Sequence, residues 1–285
     1  MVHVYLKNLR KSWLTGIVPP LFVAGFVATI AIGFPSLRKT ILDRLSQMNN
    51  PIYQAILGDL GLEGLGLTWQ GALFMYAGGT MNIILLFVAL FIPVRLLSTE
   101  IDKNTLDVML SYPIPRWRYL LEKFGVYLTY GLIFPISIVS ILIGSTAVMN
   151  AIYADGYVYN DVIYYYEIDI NLVLNYALGI FLLLFALGAL SILCASIFLE
   201  SNKSLSAAGV IILGQYFLES LGALLGGFLE GFIEIQAFSL FHYFKIDTIL
   251  DGGMLPLFDV VIVVGVGLVA LIGALIIFHK REFAI

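Results

Sequence analysis

The sequence predicts an all-α membrane protein with six transmembrane helices. Hydrophobic residues make up 60% of the chain and charged residues 12%, whereas soluble proteins carry about 25% charged residues. Mean hydropathy is +0.98. Several apolar runs also reach the length of about 20 residues that a helix needs to cross a bilayer. The sequence therefore predicts a bundle of spanning helices joined by more polar connections.

An amphipathic helix is expected at residues 1–13, where apolar side chains recur at helical spacing and the basic side chains fall mostly on other faces. It is expected to lie in the membrane interface. The whole chain, 1–285, is expected to form a single transmembrane domain. Its six spans are expected at about residues 13–34, 71–97, 119–149, 170–198, 204–228 and 255–278.

Three connections are long enough to predict separately. Residues 35–70 contain adjacent asparagines, a proline and several glycines, which indicates an exposed loop with one short helix near 39–48. Residues 151–169 are rich in tyrosine, which is typical of an aromatic belt at the membrane surface, with a ligand platform as the alternative. Residues 229–254 are expected to form an outer segment that partly re-enters the membrane.

The distribution of basic residues predicts the orientation. Of the lysine and arginine residues, eleven lie on the side that holds both termini and the loop at 98–118, and four lie on the other side. By the positive-inside rule both termini are expected to be cytoplasmic. The chain is expected to be a multi-pass protein of the cell (plasma) membrane. The eleven are Lys7, Arg10, Lys11, Arg95, Lys103, Arg116, Arg118, Lys123, Lys203, Lys280 and Arg281, and the four are Arg38, Lys39, Arg44 and Lys245.

The polar loop at residues 98–118 has the pattern of a short helix. Thr99 or Asn104 can supply the oxygen that caps its N-terminus, and acidic residues follow in the first turn. Apolar residues recur at roughly helical spacing along it. Pro113 and Pro115 then end it, since proline disfavours helix in the residue before it. From the residues alone, a helix that docks into a partner and a solvated connecting loop both remain open.

The run from Glu100 to Lys123 resembles the signature of the ABC type-2 permease family, in which an acidic residue, Gly-Thr-Leu, a leucine pair and Pro-small-Arg precede the third span. Asn104 stands where the family usually has glycine, and asparagine is the next most tolerant residue of left-handed backbone. Residues 239–252 and 279–283 are similar to the family more weakly. The matching positions are Glu100, Thr105, Leu106, Met109, Leu110, Pro113, Arg116 and Lys123.

This resemblance implies that the loop is a cytoplasmic coupling helix between spans two and three, gripped by a separate ABC ATPase. It implies that this chain is the permease subunit of an ATP-driven exporter. The chain would pair with a second permease copy in a homodimer and with two ATPase subunits that bind ATP and Mg²⁺. This chain itself is expected to bind no cofactor. The residues expected to couple to the ATPase are Glu100, Asp102, Asn104, Thr105, Leu106, Met109, Leu110, Pro113 and Arg116.

Enzyme chemistry is not expected of this chain. It has no GxxxxGK[ST] loop for ATP phosphates and no HExxH or GxSxG motif. The single cysteine, Cys194, excludes a disulfide or a thiolate metal site within one chain. Three widely separated histidines give no metal-ligand pattern. The net charge of −4, with no basic stripe, argues against a nucleic-acid partner.

Few polar residues lie within the spans, and these are the candidates for a transport pathway. The family resemblance implies that the second and fifth spans of two copies face a central pathway. Glu219 should face protein or water because a carboxylate in lipid costs a few kcal/mol, unless the fifth span ends early and places it among headgroups. The candidates are Tyr76, Thr80, Asn82, Gln215 and Glu219.

Two other functional classes remain. A non-transporting membrane scaffold or sensor for a soluble partner would have the same layout. An ion-coupled carrier without an ATPase is disfavoured because the spans carry few charges and show no evident inverted repeat. The substrate cannot be read from the sequence, since a fold does not fix what it transports.

Overall fold

A computed structural model describes residues 2–47, 68–102, 115–159, 162–198, 200–225, 231–244, 248–249 and 254–280. Helices dominate these residues. They are α1 (Val2–Lys11), α2 (Trp13–Gln47), α3 (Trp69–Asp102), α4 (Arg116–Ile152), α5 (Ile170–Phe198), α6 (Ser201–Leu225), α7 (Gly231–Gln236), a 3₁₀ turn (Leu240–Tyr243) and α8 (Leu257–Lys280). The strands β1 (Tyr157–Tyr159) and β2 (Val162–Tyr164) lie between α4 and α5.

Within the described residues, five helices are long and apolar enough to cross a membrane: α2, α4, α5, α6 and α8. The chain is therefore a multi-pass helical membrane protein. In α3 the described apolar part, Ile83–Ser98, is shorter. The helix as a whole has 34 residues, or about 50 Å at 1.5 Å per residue. The sixth crossing, which α3 would make, remains a prediction.

Helix α5 lies at the centre of the bundle. It packs against α8, α3, α4 and α6, and 67% of its most apolar window is buried, against 33% or less in the other four candidate spans. Glycines allow this close packing. A Cβ atom added at Gly188 would overlap the ring of Tyr127, and one added at Gly179 would overlap the ring of Phe244. The predicted span at 170–198 coincides with this helix.

Three helix boundaries differ from the sequence prediction. Helix α2 continues through Pro35 to Gln47, so the short helix expected near 39–48 is the end of the first long helix. Helix α3 continues to Asp102, five residues into the predicted loop, so Thr99 lies inside a helix and does not cap a new one. Helix α4 begins at Arg116, with Pro115 as its N-cap residue. The rest of the predicted polar connection, residues 103–114, lies outside the described residues.

The tyrosine-rich segment forms a small hairpin and a buried aromatic cluster. Strands β1 and β2 pair antiparallel. Downstream of them, Tyr166 is buried edge-to-face against Trp69 and Phe34. Trp69 Nε1 donates to Thr146 Oγ1 at 2.9 Å. The segment therefore closes over the start of α3 and the end of α4, while the expected aromatic belt at the membrane surface and its alternative, a ligand platform, stay predictions.

Long-range contacts define two ends of the bundle. The Glu100 end brings together α1, the end of α3, the start of α4, the start of α6 and the end of α8. The Trp69 end brings together the start of α3, the end of α4 and the segment before α5. All segments predicted to be cytoplasmic that the structure describes lie at the Glu100 end.

Candidate functional site

A buried ion pair joins the end of α3 to the start of α4. Lys123 Nζ lies 2.6 Å from Glu100 Oε1, with side-chain exposures of only 1% and 8%. The two residues flank the polar connection, one on each side, because α3 ends at Asp102 and α4 begins at Arg116. The pair therefore ties together the two helices from which residues 103–114 emerge.

Two further side chains complete this network. Tyr119 donates its hydroxyl to Glu100 Oε2, and Lys123 Nζ also donates to Asn8 Oδ1 at 3.1 Å. The Tyr119 ring stacks on Phe278 of α8, with centroids 6.1 Å apart. Both carboxylate oxygens of Glu100 thus accept hydrogen bonds, and the network reaches α1 and α8. Asn8, Glu100, Tyr119 and Lys123 are called the α3–α4 lock below.

The lock makes relative motion of these helices costly. Taking two charges out of water is expensive, and removing one partner of a buried pair costs about 3–5 kcal/mol because the other charge is left uncompensated. Sliding α3 past α4 would separate Glu100 from Lys123 in the same way. The ends of α3 and α4 should therefore move together.

Helix α1 is fixed to α4 by hydroxyl contacts as well as by the lock. Tyr5 and Thr129 hydroxyl oxygens lie 2.6 Å apart, and Tyr130 donates to the Leu9 carbonyl at 2.8 Å. Ser12 lies 3.0 Å from the Tyr130 hydroxyl. The predicted interfacial helix is thus docked along α4, while its placement in a membrane interface remains a prediction.

The other described coupling candidates lie close to the lock. Asp102 Oδ1 accepts a hydrogen bond from the backbone N–H of Ser201 at 3.3 Å, where α6 begins, and a carboxylate is favourable beside a helix N-terminus. Arg116 is half-buried in the first turn of α4. The remaining candidates lie outside the described residues, and their coupling role stays a prediction: Asn104, Thr105, Leu106, Met109, Leu110 and Pro113.

Comparison with protein families identifies the chain. Residues 8–283 match the model of a family described as ABC-2 family transporter protein. The chain belongs to the ABC-2 transporter family. Proteins of this family are generally the membrane component of an ABC transporter and work with an ABC ATPase partner. Comparisons with curated proteins and with solved structures gave no match.

In this ABC-2 permease, Gln215 and Glu219 contact the segment that follows α6. Gln215 Oε1 accepts from the backbone N–H of Leu240 at 3.3 Å. The Glu219 carbonyl accepts from Gln236 Nε2 at 3.2 Å, and Glu219 Oε2 lies 3.9 Å from His242 Nδ1. These contacts therefore hold the segment that follows α6 against that helix, a role that sequence reasoning missed.

Their expected role in a transport pathway is a separate matter and stays a prediction. Helix α6 continues to Leu225, so Glu219 lies inside the helix and not at its end. Tyr76, Thr80 and Asn82 belong to α3, but their side chains lie outside the described part of the structure.

Sequence reasoning found part of the lock and missed the rest. Glu100 and Lys123 were singled out by the family signature, whereas Asn8 and Tyr119 were not. The sequence does indicate that Lys123 pairs with another residue, because a charged side chain beside a long apolar run needs a partner when it is buried. Nothing in the spacing of Asn8 and Tyr119 marks them as members of the same network.

Proposed function

We propose that this ABC-2 permease is the membrane subunit of an ATP-driven exporter whose ATPase grips residues 103–114. Two permease copies form a homodimer, and two ATPase subunits bind ATP and Mg²⁺ beneath it. This chain binds no cofactor of its own. The family membership and the α3–α4 lock support the proposal, and the exporter direction rests on the family resemblance.

The lock is the observation that carries the mechanism. A segment that connects two helices can transmit force to both only when those helices respond as one body. Glu100 and Lys123 meet at 2.6 Å just beyond the two ends of the connection, and Asn8 and Tyr119 extend the network to neighbouring helices. A displacement of residues 103–114 would therefore move α3 and α4 together.

Transport then follows from two arrangements of the paired permeases. Closure of the ATPase pair on ATP would displace residues 103–114 in each copy and turn α3 and α4 as a unit. Substrate would move outward if the inward-facing arrangement bound it more tightly than the outward-facing one, because a ligand follows only a difference in affinity. A pathway between the copies would include Tyr76, Thr80, Asn82, Gln215 and Glu219.

Charged substitutions in the connection test this proposal. In a complex coexpressed with its ATPase, a Leu106→Asp/Met109→Asp double variant should insert normally but lose copurification with the ATPase and its effect on ATP hydrolysis. The matched control, Leu106→Ile/Met109→Leu, keeps the apolar surface and should behave like wild type. A double aspartate variant that retains both the complex and the wild-type ATPase rate would refute the coupling role.

The side of the membrane on which residues 103–114 lie provides an independent test of the proposal. Cys194 is the only cysteine, so a Cys194→Ala background allows one cysteine to be placed at Asp107. A membrane-impermeant maleimide should label it in inside-out vesicles and leave it unlabelled in intact cells. Labelling from outside would refute the proposed orientation. A complex that holds the ATPase but shows no ATP-dependent change in the permease would favour the scaffold or sensor function.

A further inference from the structure

An acidic and a basic side chain face each other where α6 meets the segment that follows it. Glu219 Oε2 lies 3.9 Å from His242 Nδ1, and the two side chains are 28% and 30% exposed. Both groups can therefore exchange protons with water while protein shields them in part. The Oε2 atom itself is buried and has no hydrogen-bond partner within the described part of the chain. The pair is thus placed to interact strongly only when the imidazole carries a charge.

Amide and ring contacts hold the same segment on α6. The hydrogen bonds of Gln215 and Gln236 described above are two of them. The rings of Tyr216 and Phe241 also meet edge-to-face, with centroids 5.6 Å apart. Amides keep their charge state across the pH range in which imidazole titrates. Titration of His242 would therefore change the strength of an interface that other contacts keep in register.

Glu219 is the acidic group best placed to respond to the charge of His242. Of the described carboxylates, it alone comes within 4 Å of a His242 nitrogen. Asp259 is buried and lines a small cavity with Tyr243, and Glu234 is exposed. The other titratable side chains of the elements around the turn are Glu234 of α7, Tyr216 of α6, Tyr176 of α5, Tyr243 of the turn itself and Asp259 of α8.

The turn that carries His242 is also fixed to the centre of the bundle through Phe244. The Phe244 ring fills the space beside Gly179 of α5, where an added Cβ would overlap it. It also packs on Tyr176, with centroids 5.5 Å apart. Helix α6 is less buried, with 22% of its most apolar window covered against 67% in α5. The contact between Glu219 and His242 therefore ties a lightly packed helix to the central one.

Protonation of the imidazole changes this contact in a defined direction. Imidazole side chains change charge between about pH 5 and 8. An imidazolium attracts the Glu219 carboxylate, and from 3.9 Å a small movement would let Nδ1–H donate a charge-assisted hydrogen bond to Oε2. A neutral imidazole exerts no such attraction. The contact is therefore strong at the acidic end of this pH range and is lost as the pH rises through it.

We propose that Glu219 and His242 form a proton-operated latch that fastens residues 236–244 to α6 when His242 is protonated. Glu219 lies about 27 Å along α6 from Ser201 at 1.5 Å per residue, so the latch is far from the Glu100 end and on the side predicted to be outer. Acid on that side would hold α6 against α5, and neutral pH would release it. The latch is independent of ATPase coupling and of any pathway role of Glu219.

Hydrogen–deuterium exchange of the purified full-length protein in detergent tests the latch without an ATPase. Peptides that cover residues 236–244 are compared at about pH 5.5 and about pH 8, with labelling times scaled for the intrinsic exchange rate. Wild-type protection should be roughly threefold greater at the acidic pH, the size of effect that a partly exposed ion pair gives. Glu219→Gln and His242→Asn should each abolish this difference, because neither variant can form the charged pair.

Two control variants separate the latch from general loosening. His279 is an exposed histidine in the last turn of α8, at the Glu100 end, and His279→Asn should keep the wild-type pH dependence. Gln215→Ala removes the contact with Leu240 and should lower protection at both pH values while leaving their ratio unchanged. Wild-type protection that does not change with pH, or the wild-type pH dependence in His242→Asn, would overturn the proposal.

Discussion

Replacing Lys123 with methionine removes the cation from a carboxylate that has almost no access to solvent. Methionine keeps the approximate length of the side chain, so the change tests charge more than volume. Glu100 would retain the hydrogen bond from Tyr119 but would lose the ammonium group at 2.6 Å. Asn8 Oδ1 would also lose the hydrogen bond that it accepts from Lys123 Nζ at 3.1 Å. We expect Lys123→Met to lower the free energy of unfolding by about 3–5 kcal/mol.

A second ion pair of the same chemistry provides the control. Lys203 Nζ lies 2.7 Å from Glu200 Oε2, nearly the same distance, but the two side chains are 67% and 58% exposed. An exposed pair contributes about 0–1 kcal/mol because water solvates both charges when it breaks. Lys203→Met should therefore change the free energy of unfolding by less than about 1 kcal/mol. The difference between the two variants isolates the effect of burial.

Reversible unfolding in mixed detergent and SDS micelles measures these changes. A Glu100→Leu/Lys123→Met double variant should recover much of the loss, because no uncompensated charge remains. The double-mutant cycle should give a coupling energy of about 2–3 kcal/mol. If Lys123→Met proved no more destabilising than Lys203→Met, the buried lock would not exist as described and the rigid unit inferred from it would fail.

Two further predictions concern the packing of α5 and the rigidity of the helices around it. Gly188→Ala should lower the free energy of unfolding by about 1–3 kcal/mol, because the added methyl group overlaps the ring of Tyr127. Gly214→Ala is the control, since no atom lies within 4 Å of its added Cβ. In the same assay it should be neutral or slightly stabilising. Spin labels at the exposed residues Ile83 and Ile136, in a Cys194→Ala background, should keep their distance within one chain when ATP binds to the complex; a shift of several ångströms would contradict joint motion of α3 and α4.

Helix α5 could be predicted from the sequence because its two ends are marked clearly. Asp169 precedes α5, and Glu200 and Asn202 follow it, with only uncharged residues between. Burial of such a segment needs no specific partner, so composition alone is sufficient to locate it. The family could also be recognised, since its signature combines several residue types at fixed spacing over a continuous stretch.

The end of α3 could not be predicted because a run of polar residues can either be exposed to solvent or be buried in a hydrogen-bonded network. Ser98, Glu100 and Asp102 indicate a solvated loop when read in order along the chain. In the structure Glu100 is buried because Lys123 and Tyr119 satisfy its two oxygens. These partners lie about twenty residues away, and the sequence does not state which polar residues will meet. A buried network and a solvated turn therefore have the same local pattern.

The same ambiguity affects the candidate pathway. Gln215 and Glu219 were selected because polar groups within a span are costly unless they serve a function. The structure offsets that cost at Gln215, whose side chain accepts from the Leu240 backbone. At Glu219 it is the backbone carbonyl that accepts from Gln236, and the carboxylate lies 3.9 Å from His242 Nδ1. The contact with Leu240 therefore explains the polarity of Gln215 without a pathway, whereas the pathway role of Glu219 stays a prediction.

Three polar contacts, one for each pair of helices, join α3, α4 and α5 into a closed triangle. Glu100 and Lys123 tie α3 to α4. Tyr127, one turn after Lys123, donates to the Leu184 carbonyl at 2.6 Å and ties α4 to α5. The third side is made by Ser191, which donates to the Ala89 carbonyl at 2.7 Å and ties α5 to α3.

Because each contact of this triangle is buried, none can be exchanged for water at low cost when the helices slide. A force applied at residues 103–114 would therefore turn all three helices together. The change between transport states would then have to occur at the outer surfaces of the triangle, where α2, α6 or a second copy of the chain can repack through apolar contacts that have no fixed partner.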